Sequence, residues 1–89
     1  DLYYLMIRNL KPKRIIEIGS GYSTLVAIEA IRKNKEEGHT TSLTCVEPYE
    51  MPWLSELKEV ELIRQKVELL DLDFFQCLEE GDFLFIDSS

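Results

Sequence analysis

The sequence predicts an open α/β fold, a mainly parallel sheet of about four strands with flanking helices. Three observations lead there. The short apolar runs "RIIEI", "SLTCVE" and "DFLFID" have strand length and are rich in branched or aromatic residues, and segments of helical spacing separate them. "RIIEI" is apolar on both faces apart from Glu17, the pattern of a central parallel strand covered on each side. The succession strand, helix, strand, helix, strand, helix, strand indicates a parallel sheet with right-handed crossovers.

Each element follows from its local pattern. Leu2, Leu5, Met6 and Leu10 recur at near-helical spacing in "LYYLMIRNL", predicting the end of a helix that starts earlier. Pro12 in "KPK" stops it, because proline pushes its neighbour out of the helical region. "RIIEI" is the first strand. After the glycines, "TLVAIEAIRKNK" sets Leu25, Ile28 and Ile31 on one face and Glu29, Arg32 and Lys33 away from it, an amphipathic helix. "EEGHT" is a polar turn. "SLTCVE" alternates Leu43 and Cys45 against Thr44 and Val46 as the second strand. The turn "PYEMP" leads into a brief helical piece, "WLSEL", and "VELIRQKVE" is the third strand, where helix and strand periods compete. "LDFFQCLEEG" reads as a short helix closed by Gly81, and "DFLFID" as a fourth strand ending at Asp87. Tyr49, Trp53, Phe74 and Phe75 are expected to be packing residues, with Tyr49 also close enough to the end of the second strand to line a pocket there.

Composition bounds the function classes. The chain has 89 residues and 45% hydrophobic content, the scale of one small globular domain. It begins with Asp1 rather than Met and stops directly after an apolar run, so it is expected to be a portion of a longer protein. A formal net charge of -7, with scattered basic residues, argues against a nucleic-acid partner, since phosphate binding draws on clustered Lys and Arg. No apolar stretch approaches the ~20 residues of a membrane helix and the start lacks the form of a signal peptide, so a cytoplasmic protein with no membrane partner is expected. Cys45 and Cys77 form no CxxC pair and the chain has a single histidine, so neither a zinc site nor a disulfide framework is indicated. Both cysteines are expected to be buried thiols.

In open α/β sheets, ligands bind beyond the carboxyl ends of the strands. That rule selects the loop after Ile18, the residues around Glu47, and Asp87. Gly19 and Gly21 remove side chains where the backbone must turn and can touch a ligand, and Ser23 and Thr24 can cap the following helix. The helix amino terminus offers N–H groups and partial positive charge to a carboxylate or phosphate. Glu17, a carboxylate within an apolar strand, is costly unless paired and is expected to hydrogen-bond N–H groups or a ligand amine near the loop. Glu47 at the tip of the second strand can accept two hydrogen bonds from a ribose diol. A glycine loop together with a strand-end acid points to a nucleoside-containing ligand. Asp71 and Asp73 serve equally well as helix caps before Phe74, Asp87 can cap a following helix, and His39 lies in a solvated turn.

The choice of nucleoside turns on the motifs. A dinucleotide fingerprint reads GxGxxG, and here Thr24 occupies the third glycine position. With the acid before its first glycine, "EIGSG" resembles the first motif of class I S-adenosylmethionine-dependent methyltransferases. "CVEPYE" is similar to their second motif, and "GDFLFIDSS" to their fourth, a hydrophobic strand ending in Asp; Ser23 departs from the commonest pattern by replacing a third glycine. Together with "VEPY", the stretches "EIGSGYST" and "GDFLFIDSS" look especially like a small-molecule subfamily. The resemblance implies a Rossmann-like sheet, usually of seven strands, of which this chain would be an incomplete N-terminal portion, a partial cofactor-binding domain inactive by itself. It implies S-adenosylmethionine as cofactor, with Glu17 and the Gly19, Ser20 and Gly21 backbone around its methionine part. Glu47, with Pro48 beside it, would hold the ribose hydroxyls, and Asp71 or less favourably Glu68 would approach the adenine. Asp87 would be the catalytic residue beside the sulfonium, orienting the substrate or, in metal-dependent relatives, ligating an ion; no metal site is assigned here. The partner implied is a small-molecule methyl acceptor. Two alternatives remain, an NAD(P)-binding Rossmann oxidoreductase and a non-catalytic α/β interaction module. If strand order follows the family, "FLFID" lies at an open sheet edge and self-association is expected.

Overall fold

Residues 1–19 and 21–86 are described by the structure, a computed structural model. Two α-helices, α1 (Leu2–Leu10) and α2 (Tyr22–Glu36), accompany four strands: β1 (Arg14–Ile18), β2 (Ser42–Val46), β3 (Val60–Ile63) and β4 (Phe83–Ile86). The strands form one all-parallel sheet in the order β3-β2-β1-β4. The chain runs outward from β1 through β2 to β3, then crosses back to place β4 on the other side of β1. The expected open parallel α/β sheet is therefore the observed one, with β1 central. Its strand order reverses between β1 and β4, the kind of switch point at which such sheets open a crevice.

Register sorts the side chains into two faces. Ile15 pairs with Leu43 and Phe83, Leu43 with Val60, and Glu17 with Cys45 and Phe85, which sets one face. Both α-helices cover that face. Ile7 of α1 and Ala27, Ile28, Ala30 and Ile31 of α2 form one buried cluster with Ile15, Leu43 and Cys45, while Tyr3 stacks on Phe85 with ring centroids 4.2 Å apart. The leucine and methionine stripe that marks α1 as a helix is not its core side. Leu2, Leu5, Met6 and Leu10 are exposed, and α1 docks through Tyr3, Tyr4 and Ile7. Leu25 is likewise exposed on α2, whose inward positions are held by Thr24, the two alanines, the two isoleucines and Asn34.

Shorter elements fill the connections on either side of β3. The piece expected over "WLSEL" is a 3-10 turn at Leu54–Glu56, "LDFFQC" is 3-10 at Leu72–Cys77, and a further 3-10 turn spans Val67–Leu69. The third strand ends at Ile63 rather than running on through "RQKVE", where exposed Arg64, Gln65 and Lys66 offer no apolar alternation to pair. Gly81, at φ 91, turns the chain toward β4. Cys77 is exposed, contrary to the expected burial, because its 3-10 segment lies at the surface; Cys45 is buried.

Polar ties fasten the end of the sheet where strands begin. Asp82 accepts from Arg14 N at 3.1 Å and from Glu79 N at 3.0 Å, and the Arg14 guanidinium donates to the Cys77 carbonyl. Thr41 Oγ1 donates to the Pro12 carbonyl at 2.5 Å. The helix ends are joined by Asn34, which donates to Ile7 O at 2.9 Å and accepts from Arg8, whose guanidinium also grips Glu37. No helix among the described residues is long and apolar enough to cross a membrane.

β4 stands at a sheet edge with Leu84 47% and Ile86 62% exposed, beside a groove of about 410 Å³ lined by Leu2, Met6 and Leu84 among others. Its described residues carry no charge to deter pairing with another chain. The 89-residue chain is expected to sediment with concentration-dependent mass, and Leu84→Lys to shift it toward monomer. A wild-type chain that stays monomeric across the concentration series would contradict the exposed-edge account.

Candidate functional site

Three neighbouring strands end level with one another, Ile18 beside Val46 and Val46 beside Ile63. The residues that follow are tied across: Gly19 N donates to Val46 O at 2.9 Å, and Glu47 N donates to Ile63 O at 2.8 Å. Gly19 turns the chain at φ 76, a conformation that costs glycine nothing. Glu47 does the same at φ 51, where a residue with a side chain loses about 1 kcal/mol or more. That left-handed turn takes the half-buried Glu47 out of the alternation of β2, with half-buried Pro48 behind it. The sequence-predicted glycine loop and strand-end acid are thus side by side on the carboxyl edge.

Helix α2 begins at Tyr22 with Gly21 as its N-cap, and no side chain caps it. Ser23 and Thr24, expected as caps, lie inside the first turn instead. Thr24 N donates to Gly21 O at 3.0 Å, its hydroxyl turns down to β1, and Ser23 Oγ is buried with no hydrogen-bond partner among the described residues. The helix therefore presents an uncapped amino end, with its partial positive charge, beside the glycine loop. Gly21 is also where a second loop comes in: a Cβ there would lie 3.4 Å from Tyr49 Cδ2 and 3.8 Å from Met51 Cε.

Glu17 lies beneath this edge, with 0% of its surface exposed. Its partners are side chains of this chain, where the sequence suggested N–H groups or a ligand amine. Tyr3 Oη donates to Oε2 at 2.6 Å, Thr24 Oγ1 to Oε1 at 2.8 Å, and Cys45 Sγ to Oε1 at 3.7 Å. The physical reason is position: Glu17 faces α1 and α2 on the covered side of the sheet, away from the open edge. Burial, then the charge of Glu17, holds the Tyr3 phenol far above the ordinary tyrosine range and keeps it a donor.

The remaining predicted residues come from other segments of the chain. Asp71 is exposed at the start of the Leu72–Cys77 turn; its carbonyl accepts from Phe74 N at 3.0 Å, and its carboxylate makes no capping bond. It lies well past the end of β3, with no hydrogen bond or ion pair to the glycine loop among the described residues. Glu68, within the Val67–Leu69 turn, is exposed as well. Ser20 and Asp87 fall outside the described residues. Tyr3 was missed by sequence reasoning, although a buried acid in a central strand implies that some donor must reach it. Among the described residues no group of three or more His, Cys, Asp or Glu could hold a metal ion.

No family model matches the chain, and no solved structure matches it. An uncharacterized protein of Archaeoglobus fulgidus is 37% identical over 83 residues, covering 89% of this chain and 37% of that protein. The chain thus spans a little over a third of the length of this relative.

Tyr3→Phe leaves Glu17 Oε2 without its donor in a buried setting, and the expected loss is about 1.5–3 kcal/mol of stability by denaturant titration. The pH dependence has a definite sign. With the folded-state pKa above the ordinary 10.0, unfolded Tyr3 releases its proton first, so stability is full below pH 10.0 and falls as pH rises beyond it. Tyr3→Phe should flatten that alkaline decline; an unchanged profile would mean that the phenol is not held protonated by the fold.

Proposed function

We propose that this chain is the cofactor-binding part of an S-adenosylmethionine-dependent methyltransferase acting on a small-molecule acceptor. The observation that carries the reading is the adjacency of the turn at Gly19, the amino end of α2 at Gly21, without a side-chain cap, and Glu47 along one sheet edge. The donor set suits the ligand. Backbone N–H groups and the helix end favour the cofactor's carboxylate, the unpartnered Ser23 Oγ offers one further polar atom nearby, and the Glu47 carboxylate suits two ribose hydroxyls.

When bound, the cofactor supplies an electrophilic methyl on a sulfonium. The protein's part is to hold and align, because bringing acceptor and methyl into line at close range accounts for much of the rate in such a transfer. In this reading Glu47 fixes the ribose. The glycine loop fixes the amino-acid end, and Glu17 acts from below by pinning Thr24 and hence the first turn of α2, since a fully buried side chain cannot touch the ligand itself. Asp87, which directly follows β4, is assigned to the acceptor side by the motif resemblance alone. Residues that bind the acceptor are assigned to parts of the longer protein as well as to this chain. A cytoplasmic location belongs to the same proposal.

Calorimetric titration of the full-length protein with S-adenosylmethionine and with NAD tests the reading. Binding of the first is expected, weakened roughly tenfold or more in Glu47→Ala through loss of charge-assisted bonds worth about 1.5–3 kcal/mol. Binding of NAD instead would move the assignment to a dinucleotide enzyme. Binding of neither would make the chain a non-catalytic module.

A further inference from the structure

The connection that begins with Glu47 is held from two sides. Tyr49 and Met51 reach toward Gly21, coming within 3.4 and 3.8 Å of where a Cβ on that glycine would be. Glu50, between them in sequence, accepts from Arg64 Nε at 2.7 Å, and Arg64 directly follows β3. One short stretch thus links the loop after β1 to the end of β3. It has no regular structure of its own: residues 48–53 form no helix or strand, and Pro48 and Pro52 have no N–H to donate. Its ends are firm, since Glu47 N donates to Ile63 O at 2.8 Å and the fully buried Leu54 donates its N–H to Met51 O at 3.0 Å.

Half or more of each side chain in the Glu50–Arg64 pair is in contact with solvent, so the pair adds little to global stability. A segment without regular structure opens locally while the sheet stays folded, and a small contribution then decides how often it is closed. We infer that Arg64 is a positioning residue: through Glu50 it keeps the connection after β2 seated against the glycine loop, with Glu47 at the binding edge. A ligand that needs the seated state binds in proportion to the fraction seated. The inference rests on the cofactor reading and adds to it a residue outside the three motifs.

The test uses the full-length protein. Calorimetry gives its S-adenosylmethionine affinity, and hydrogen exchange without ligand follows the peptide containing Glu47 and Leu54, whose bonded amides report opening. Arg64→Ala should weaken binding about two- to fivefold, the worth of an exposed ion pair, and speed exchange to a like extent, with the denaturant midpoint nearly unchanged. Salt at about 1 M, where the screening length is ~3 Å, should close the gap between wild type and Arg64→Ala. Arg64→Glu should weaken binding further, and adding Glu50→Arg should restore it to within about twofold of wild type. Packing by the arginine stem alone would not produce that rescue. If the doubly exchanged protein binds as weakly as Arg64→Glu, Arg64 acts on the ligand or by packing, and the inference falls. Exchange unchanged in Arg64→Ala overturns it whatever the cofactor result, and normal binding there leaves the cofactor reading intact. Exchange that responds to Arg64→Ala in a protein that binds no S-adenosylmethionine upholds the clasp and refutes the cofactor reading.

Discussion

A carboxylate buried in the central strand is the constraint on which the other parts depend. Removing Glu17 from water costs several kcal/mol unless its oxygens are satisfied, and the three donors that reach it come from three separate elements. Tyr3 brings α1, Thr24 brings the first turn of α2, and Cys45 brings β2. Tyr3 adds a fourth link through its stack on Phe85 in β4. Apolar burial alone would let α1 slide or rotate on the sheet at modest cost. A hydrogen bond to a buried acid does not permit that, because a displaced donor leaves a charge or an orphan behind.

This arrangement makes the two ends of the sheet unlike. Where strands begin, polar groups are spent on one another: Asp82 on Arg14 and Glu79, Thr41 on Pro12, and Asn34 on Ile7. Where strands end, the helix has no side-chain cap, Ser23 Oγ is buried unpartnered, and Glu47 is held in a left-handed turn. Unspent hydrogen-bonding capacity collects at one edge, while the other is fastened. Such a division suits a molecule that keeps its scaffold rigid and reserves one edge for a ligand.

The two faces differ as well. One is closed by α1 and α2 over a continuous cluster of isoleucine, leucine and alanine. The other, at β4, leaves Leu84 and Ile86 in contact with solvent. Strands apolar on both faces, as β1 and β4 are, signal cover on both sides. For β4 that cover is incomplete among the described residues.

The sequence by itself determined the order of elements, the parallel sheet and the loop that follows β1. These rest on local terms: branched residues in short runs, Pro12 ending α1, and glycine at Gly19 where φ is positive. It also marked Glu47, because an acid directly after a strand has few structural uses. Tertiary structure decided which side of each helix faces inward. The regular Leu2, Leu5, Met6, Leu10 spacing pointed away from the core, since a helix with apolar residues on several sides docks by shape and by the reach of Tyr3 to Glu17. It likewise sent Thr24 to Glu17 rather than to the helix cap, and drew Tyr49, Met51 and Trp53 toward Gly21 and Tyr22 from far along the chain. Those outcomes depend on contacts between elements distant in sequence, for which neither spacing nor composition carries a local signal.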